Sequence, residues 1–268
     1  AYDNCIDYSD LYGDGVTCTY GTFANPFLNT GIVNGRHTIM SNIFQTDPYA
    51  PTLTCVYPGD QVSVRLGDDN NGARAESITY DYYVDTNIFP ILLLKYAAVL
   101  QNPGHTPDNQ PRFTFKILDS TGVEIDAICG SEDFVAGNTT DGWQIGSSNT
   151  VWKDWTLVGV DLSAYHHRHI QIQLTTYDCD EGGHFGYAYF SFECNQKKII
   201  VETCGNIAQN SYTAPEGFSY TWYYNDAPED TISTQQSVTV NIGNQADTIY
   251  CDVTFLDKSQ CRFTLAAI

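Results

Sequence analysis

Residues 89–101 read FPILLLKYAAVLQ, and this run limits what the chain can fold into more than any other stretch. In an extended segment Leu92, Leu94, Tyr96, Ala98 and Leu100 share one face, while Ile91, Leu93, Ala97 and Val99 share the other. A strand apolar on both faces belongs in the middle of a packed sheet, because either face left in water would expose a continuous apolar surface. Length alone also allows a helix. Pro90 before the run and Pro103-Gly104 after it bracket it instead as a strand between turns.

The rest of the chain repeats the two-residue period. Gln61–Leu66 sets Val62, Val64 and Leu66 on one face, and Glu76–Val84 reads as a further strand. Arg112–Leu118 alternates Phe113, Phe115 and Ile117 with Arg112, Thr114 and Lys116. Trp152–Leu162 is extended, and residues 164–169 form a turn. Ile170, Ile172 and Leu174 then alternate with Gln171 and Gln173. The stretch 175–194, TTYDCDEGGHFGYAYFSFEC, reads as a hairpin of strand, tight loop and returning strand, with Gly182-Gly183 permitting the reversal. Residues 1–60 read as a turn-rich, irregular lead-in with short strands, as at Thr38-Ile39-Met40, and 119–150 as loop-rich. No stripe with a 3.6-residue period exceeds a turn or two, so the domain is all-β, with strands spaced for a two-sheet sandwich ending near Cys194. After 195–198 the pattern restarts with FSYTWYY (218–224), SVTVNI (237–242), IYCDVTF (249–255) and CRFTLA (261–266), which predicts a small Ig-like β-sandwich. The expected domains are 1–196 and 197–268.

Thirty-two acids against 12 bases give a net charge of −20. That offers no cationic field for a phosphate backbone or an anionic membrane surface, so nucleic acid is excluded as a partner. It permits divalent cations. No run of 18 apolar residues appears, so no membrane insertion is expected. The chain opens AYDNC with neither a basic n-region nor an apolar h-region, and reads as a mature or excised fragment. Nine cysteines in a Lys-poor, Tyr-rich chain suggest an oxidising compartment, and the absence of a C-x-x-C pair argues against a zinc ribbon. Cys5, Cys18, Cys55, Cys129, Cys179, Cys194, Cys204 and Cys261 are the disulfide candidates, with connectivity open. Cys204 can staple the second domain to Cys251 or to Cys261, which makes that domain the expected home of the odd thiol.

Chemistry-bearing residues concentrate in two loops. His105 lies in NPGHTPDNQP; Asp178, Asp180 and His184 crowd around Gly182-Gly183. If the flanking strands are neighbours, the loops meet at one end of the sandwich. Two imidazoles and a carboxylate can hold Zn²⁺ or another transition metal. The same groups can hydrogen-bond sugar hydroxyls, or each histidine can simply lock its own turn. Trp155, with Trp143 and Trp152, is either an aromatic platform for a sugar face or core packing. GDDNNG (67–72) reads as an Asn/Asp/Gly turn rather than a Ca²⁺ loop, since its spacing is not that of an EF-hand. No GxSxG elbow, HExxH helix or phosphate loop occurs, so no enzymatic activity is expected.

The segments NGRHTIMS (34–41), VSVRLGDDNNGARAESITYDYYV (62–84), LKYAAVLQNPGHTPDNQPRFTFKILDSTG (94–122), WKDWTLVGVDLSAY (152–165) and TTYDCDEGGHFGYAYFSFEC (175–194) resemble a family of large secreted Bacteroidetes surface proteins. Such proteins carry a jelly-roll domain similar to MAM and carbohydrate-binding modules, followed by Ig-like or PKD-like repeats. Many are type IX secretion cargo, gliding-motility-associated or adhesin-like. The resemblance implies a secreted, surface-displayed, non-catalytic module from a longer chain, contacting a glycan or a protein. It also implies a structural Ca²⁺ bound by an Asp of the last strand, where this chain has Ser191. It further implies O-glycosylation at Asp-Ser/Thr motifs, which Ser120, Thr231 and Thr248 fit. The expectation is thus a jelly-roll sandwich plus an Ig-like sandwich acting in adhesion. The alternatives are an accessory carbohydrate-binding module of a secreted hydrolase, and a structural spacer in a surface filament.

Overall fold

The computed structural model describes residues 11–12, 14–85, 87, 89–125, 127–137, 142–203, 209–225, 227–241, 248–255 and 259–267. Cys5 and Cys204 lie outside the described residues. The described chain is all-β: eighteen strands and two single-turn 3₁₀ segments. Among the described residues no helix is long and apolar enough to cross a membrane.

The chain divides into two compact units, one of residues 1–84, 94–156 and 167–193, the other of 85–93, 157–166 and 194–268. A jelly-roll sandwich of two six-stranded sheets dominates the first. One sheet has the order β2 (Asn25–Thr30), β1 (Val16–Thr22), β5 (Arg74–Tyr83), β11 (His169–Tyr177), β7 (Arg112–Asp119) and β8 (Ser131–Val135). The other has the order β3 (His37–Met40), β4 (Ser63–Leu66), β12 (Gly186–Asn195), β6 (Ile91–Gln101), β10 (Thr150–Asp161) and β9 (Trp143–Ile145). As its sequence requires, β6 is extended and lies between two neighbours, with every residue from Ile91 to Leu100 buried. The even-numbered side chains of β6 and β12 face the first sheet. Tyr96 meets Phe113 at 5.7 Å and Phe134 at 4.6 Å between ring centroids, and Phe192 meets Tyr80 at 5.6 Å.

The odd-numbered side chains face away, and a strap of residues 41–62 covers those of Ala97, Val99, Tyr187 and Tyr189. Ala50, Leu53, Cys55 and Val56 pack on Ala97, Val99, Tyr187 and Tyr189. Asp47 latches the strap down. Its carboxylate accepts from the hydroxyls of Tyr187 (2.7 Å) and Tyr189 (2.8 Å) and from the backbone N–H of Tyr49 and Ala50. Further along, Lys95 lies between Asp60 (2.9 Å) and Glu193 (2.7 Å), while Ser191 donates to Asp60 (2.7 Å). The position where the family resemblance leads one to look for a Ca²⁺ ligand is therefore a buried hydroxyl in an ammonium–carboxylate network.

The second unit contains two three-stranded sheets: β13 (Ile200–Thr203), β14 (Gln209–Thr213) and β16 (Ser237–Asn241), then β15 (Ser219–Tyr224), β17 (Ile249–Thr254) and β18 (Arg262–Ala267). Trp222, fully buried, packs with Tyr212, Ile249, Cys251 and Val253 and donates its indole N–H to the Gln235 carbonyl at 2.8 Å. This is an Ig-like sandwich core in miniature.

One sequence expectation is corrected. The stretch 175–194 is not a hairpin: β11 pairs with β5 and β7, whereas β12 lies in the opposite sheet between β4 and β6. Period-2 alternation fixes which side chains face the core. It does not fix which strand lies alongside, so two buried strands joined by a glycine loop fit an arch between sheets equally well.

Candidate functional site

The arch geometry builds the site. The chain crosses from one sheet to the other between β6 and β7, and again between β11 and β12. Since β6 adjoins β12 and β7 adjoins β11, the two arches lie side by side on one rim. Their feet are pinned by the Tyr177–Arg112 ladder pairing and by the Gln101 N–H donating to the Phe185 carbonyl at 3.0 Å. Midway, the Asp180 N–H donates to the Asn109 carbonyl at 3.2 Å. Within the second arch the Cys179 N–H donates to the His184 carbonyl (2.9 Å) and the Gly182 N–H to the Cys179 carbonyl (3.0 Å). Gly182 has φ +74°, which a glycine adopts without strain.

His105 and His184 are thereby brought together, ring centroids 5.3 Å apart and edge to face. A third residue joins them. The Cys179 thiol, wholly buried, lies 3.4 Å from His184 Nδ1. One donor atom from each of His105, Cys179 and His184 falls within 4.8 Å of the others, the one such cluster of three among the described residues. On its other side His105 Nδ1 lies 3.4 Å from a Glu181 carboxylate oxygen. The buried His105 Nε2 has no hydrogen-bond partner among the described residues.

Other candidates are placed elsewhere or differently. Asp178 is buried at the foot of the arch, its oxygens accepting from the backbone N–H of Arg74 (3.1 Å) and Gly186 (3.2 Å). Burial pushes its carboxyl up to about 7 and the neighbouring Glu76 adds to this, while the two N–H donors oppose it. Its oxygens are committed to the backbone, and it is absent from the three-residue donor cluster. Asp180 is exposed and equally outside that cluster. Trp155 belongs to the strap-covered face: its indole N–H donates to the Thr54 carbonyl at 2.8 Å and its ring meets Tyr57 edge to face.

Of the disulfide candidates, Cys129, Cys194 and Cys261 are disulfide-bonded. Cys18, Cys55 and Cys179 are corrected to buried free thiols, as is Cys251 in the second unit. The fold gives them other neighbours: Cys55 points at the Tyr189 hydroxyl (3.4 Å) and Cys179 at His184. Ser120 and Thr231 are exposed and Thr248 is half-buried. Ser120 follows Asp119, whose side chain accepts from the Thr121 and Val123 N–H groups and so closes an Asx-type turn.

Beside the cluster opens a groove of about 570 Å³, bordered by Asn102, His105, Pro107, Gln110, Val135 and Gly137. Gln110 is 3% exposed and donates to Asn102 Oδ1 at 2.9 Å, while its Oε1 is buried without a partner. Ala136, Leu100 and Val151 form apolar packing beneath. The sequence marked His105 and His184 but missed Cys179 as their companion and missed Gln110 altogether. The Cys179-to-His184 spacing within a glycine loop was a visible signal for the first; nothing distinguished Gln110.

No family model matches the chain, and no curated protein matches it. Solved structures similar to it include the glycoside hydrolase domain of Spr0440, Endo-D, from Streptococcus pneumoniae R6. The identity is 12% and the TM-score 0.26, over 77% of this chain and 33% of that one, so the chain spans about a third of that domain's length. TmCBM61 in complex with β-1,4-galactotriose is 10% identical, with a TM-score of 0.34, over 60% of this chain and 84% of that one. The adhesin domain of Epf from Streptococcus pyogenes is 6% identical, with a TM-score of 0.26, over 96% and 93%.

Proposed function

We propose that this chain is a non-catalytic adhesion module displayed outside the cell, part of a larger surface protein, and that the rim groove of its first unit takes a glycan. The observation that carries the ligand class is the Gln110 amide: a buried carbonyl oxygen with no partner, beside a groove. A buried acceptor left unmatched costs about 1–3 kcal/mol, which a ligand hydroxyl donating to it would recover. Asn102 and His105 line the same groove, and Val135 gives the apolar patch on which a pyranose C–H face rests. The net charge of −20 favours a neutral sugar over a polyanion.

The non-catalytic reading rests on access. Asp178, whose carboxyl near 7 would suit proton transfer, is 2% exposed and held by two backbone donors, and the Cys179 thiol is 0% exposed. Disulfide-bonded Cys129, Cys194 and Cys261 support an oxidising, extracellular setting. The test is a glycan array followed by calorimetry with the best neutral oligosaccharide. Gln110→Leu, which keeps the volume and removes the acceptor, should abolish the binding. A folded wild-type chain that binds no glycan, or a Gln110→Leu variant that binds as well as wild type, overturns the reading.

A further inference from the structure

We propose that His105, Cys179 and His184 form a binding site for one divalent, borderline-soft metal ion, Zn²⁺ being the ion their chemistry suits best. The proposal is independent of what the groove binds. Two imidazoles and one thiolate are a recurrent Zn²⁺ set, with a fourth position left for water. A tetrahedral Zn²⁺ with bonds near 2.3 Å to sulfur and 2.0–2.1 Å to nitrogen spaces its donors about 3.3–3.6 Å apart. The Cys179 Sγ to His184 Nδ1 separation is 3.4 Å, and all three donor atoms lie within 4.8 Å of one another. Side-chain adjustment alone closes the remainder, because the backbone is already fixed by the paired feet of the two arches.

The protonation pattern fits as well. With His105 Nδ1 carrying the proton towards Glu181, Nε2 presents a lone pair, and Nε2 is the buried atom that has no hydrogen-bond partner. A carboxylate on the far nitrogen of a ligating imidazole fixes its tautomer and raises its basicity. On binding, the Cys179 S–H proton leaves to solvent and the thiolate takes its place on the ion. The half-buried imidazoles leave the ion a path in from solvent. Such an ion would tie the first arch to the second, adding a side-chain cross-link to the His105–Glu181 pair and the Gln101–Phe185 and Asp180–Asn109 backbone bonds.

The test uses the full 268-residue chain, stripped with chelator, dialysed and titrated with Zn²⁺ alone and Co²⁺ alone. Wild type should retain one Zn²⁺ per chain through gel filtration and melt at a higher temperature with Zn²⁺ than without. With Co²⁺ it should show a thiolate-to-metal charge-transfer band. Cys179→Ser should lose the band. His105→Gln/His184→Gln, at half-buried rim positions, should lose both the stoichiometric metal and the melting shift while keeping the wild-type far-UV spectrum. Gln110→Leu should retain the metal, so loss of glycan binding and loss of metal binding are read separately. A wild-type chain that holds no stoichiometric Zn²⁺ overturns the proposal. So does a double histidine variant that binds metal as wild type does.

Discussion

Asp47→Ala is the substitution that most directly tests how the strap is held. The Asp47 side chain is 1% exposed and accepts four hydrogen bonds, two from the hydroxyls of Tyr187 and Tyr189 and two from the N–H groups of Tyr49 and Ala50. A hydrogen bond to a charged group contributes about 1.5–3 kcal/mol, so the two buried tyrosines alone account for about 3–6 kcal/mol. Water entering the vacated space can re-satisfy the strap N–H groups, and the net loss should be about 4 kcal/mol. Tyr187→Phe/Tyr189→Phe removes the donors instead of the acceptor. In that background Asp47→Ala should cost only about 1–2 kcal/mol, a coupling of about 2–3 kcal/mol. Urea unfolding of the four chains of this cycle measures the coupling. Native-state hydrogen exchange at the Leu53 and Cys55 amides, both bonded within the strap, localises it. If Asp47→Ala costs the same in both backgrounds, the latch is not what holds the strap.

Glu76, buried against Arg36 and Thr176, has its carboxyl pushed up to about 7 by burial, with the Arg36 guanidinium opposing. Its protonated form is favoured in the folded state, so its contribution is full below the unfolded value near 4.5 and lost as pH rises through about 7. Relative to Glu76→Gln, wild type should lose up to about 3 kcal/mol between pH 4 and pH 8, and melts of the pair across that range check it. His37 runs the other way. Burial holds its imidazole below the usual value, so its contribution is lost as pH falls, and His37→Gln should flatten the acid limb of the melting curve. Gly186→Ala puts a Cβ 2.5 Å from the Tyr177 carbonyl oxygen and 3.1 Å from Leu100 and Pro111, at the foot of the arch. It should destabilise the first unit by about 3 kcal/mol or more, read by thermal melting. Trp222→Phe forfeits the bond to the Gln235 carbonyl and opens a cavity, costing about 2–4 kcal/mol, localised to the second unit by hydrogen exchange. Burial pushes the Cys18 thiol up to about 11 and Cys251 to about 12, and raises Cys55 as well. All three should resist iodoacetamide in the native protein and react after denaturation, read by peptide mapping.

The sandwich was legible because its strands announce themselves locally. Ile91–Gln101, apolar on both faces and bracketed by turns, read as a central strand, and His169–Tyr177 carries an alternation that survives into the burial pattern as far as Leu174; in Arg112–Asp119 Phe113, Phe115 and Ile117 are buried as expected, but so are Thr114 and Leu118. The strands β8, β9 and β13 were missed because Ser131–Val135, Trp143–Ile145 and Ile200–Thr203 lie at the edges of their sheets, where burial imposes no pattern; β14 is a middle strand, but its polar stretch Gln209–Thr213 buries Tyr212 alone and so shows no alternation. Pairing partners are a non-local property, which is why the 175–194 arch read as a hairpin. Cys179 suffered from the same blindness. A cysteine in an oxidising context reads as half of a disulfide until the fold shows that His184, not another sulfur, faces it.

The strap decides where on the first unit a ligand can bind. Tyr187, Tyr189, Trp152 and Trp155 lie on the outward face of the second sheet or flank it, and by composition this is where a sugar platform is looked for. Uncovering that face would break the Asp47 latch, about 4 kcal/mol, and return Leu53 and Val56 to water at about 1.5–3 kcal/mol each. The total, about 7–10 kcal/mol, exceeds or consumes the binding free energy of a millimolar to micromolar ligand, about 4–8 kcal/mol. A weak glycan therefore cannot open the strap and still bind with measurable affinity. The rim groove demands no such opening: it is bordered by residues 102–110 of the first arch and by 135–137, none of them in the strap, and the feet of the arches are hydrogen-bonded into both sheets.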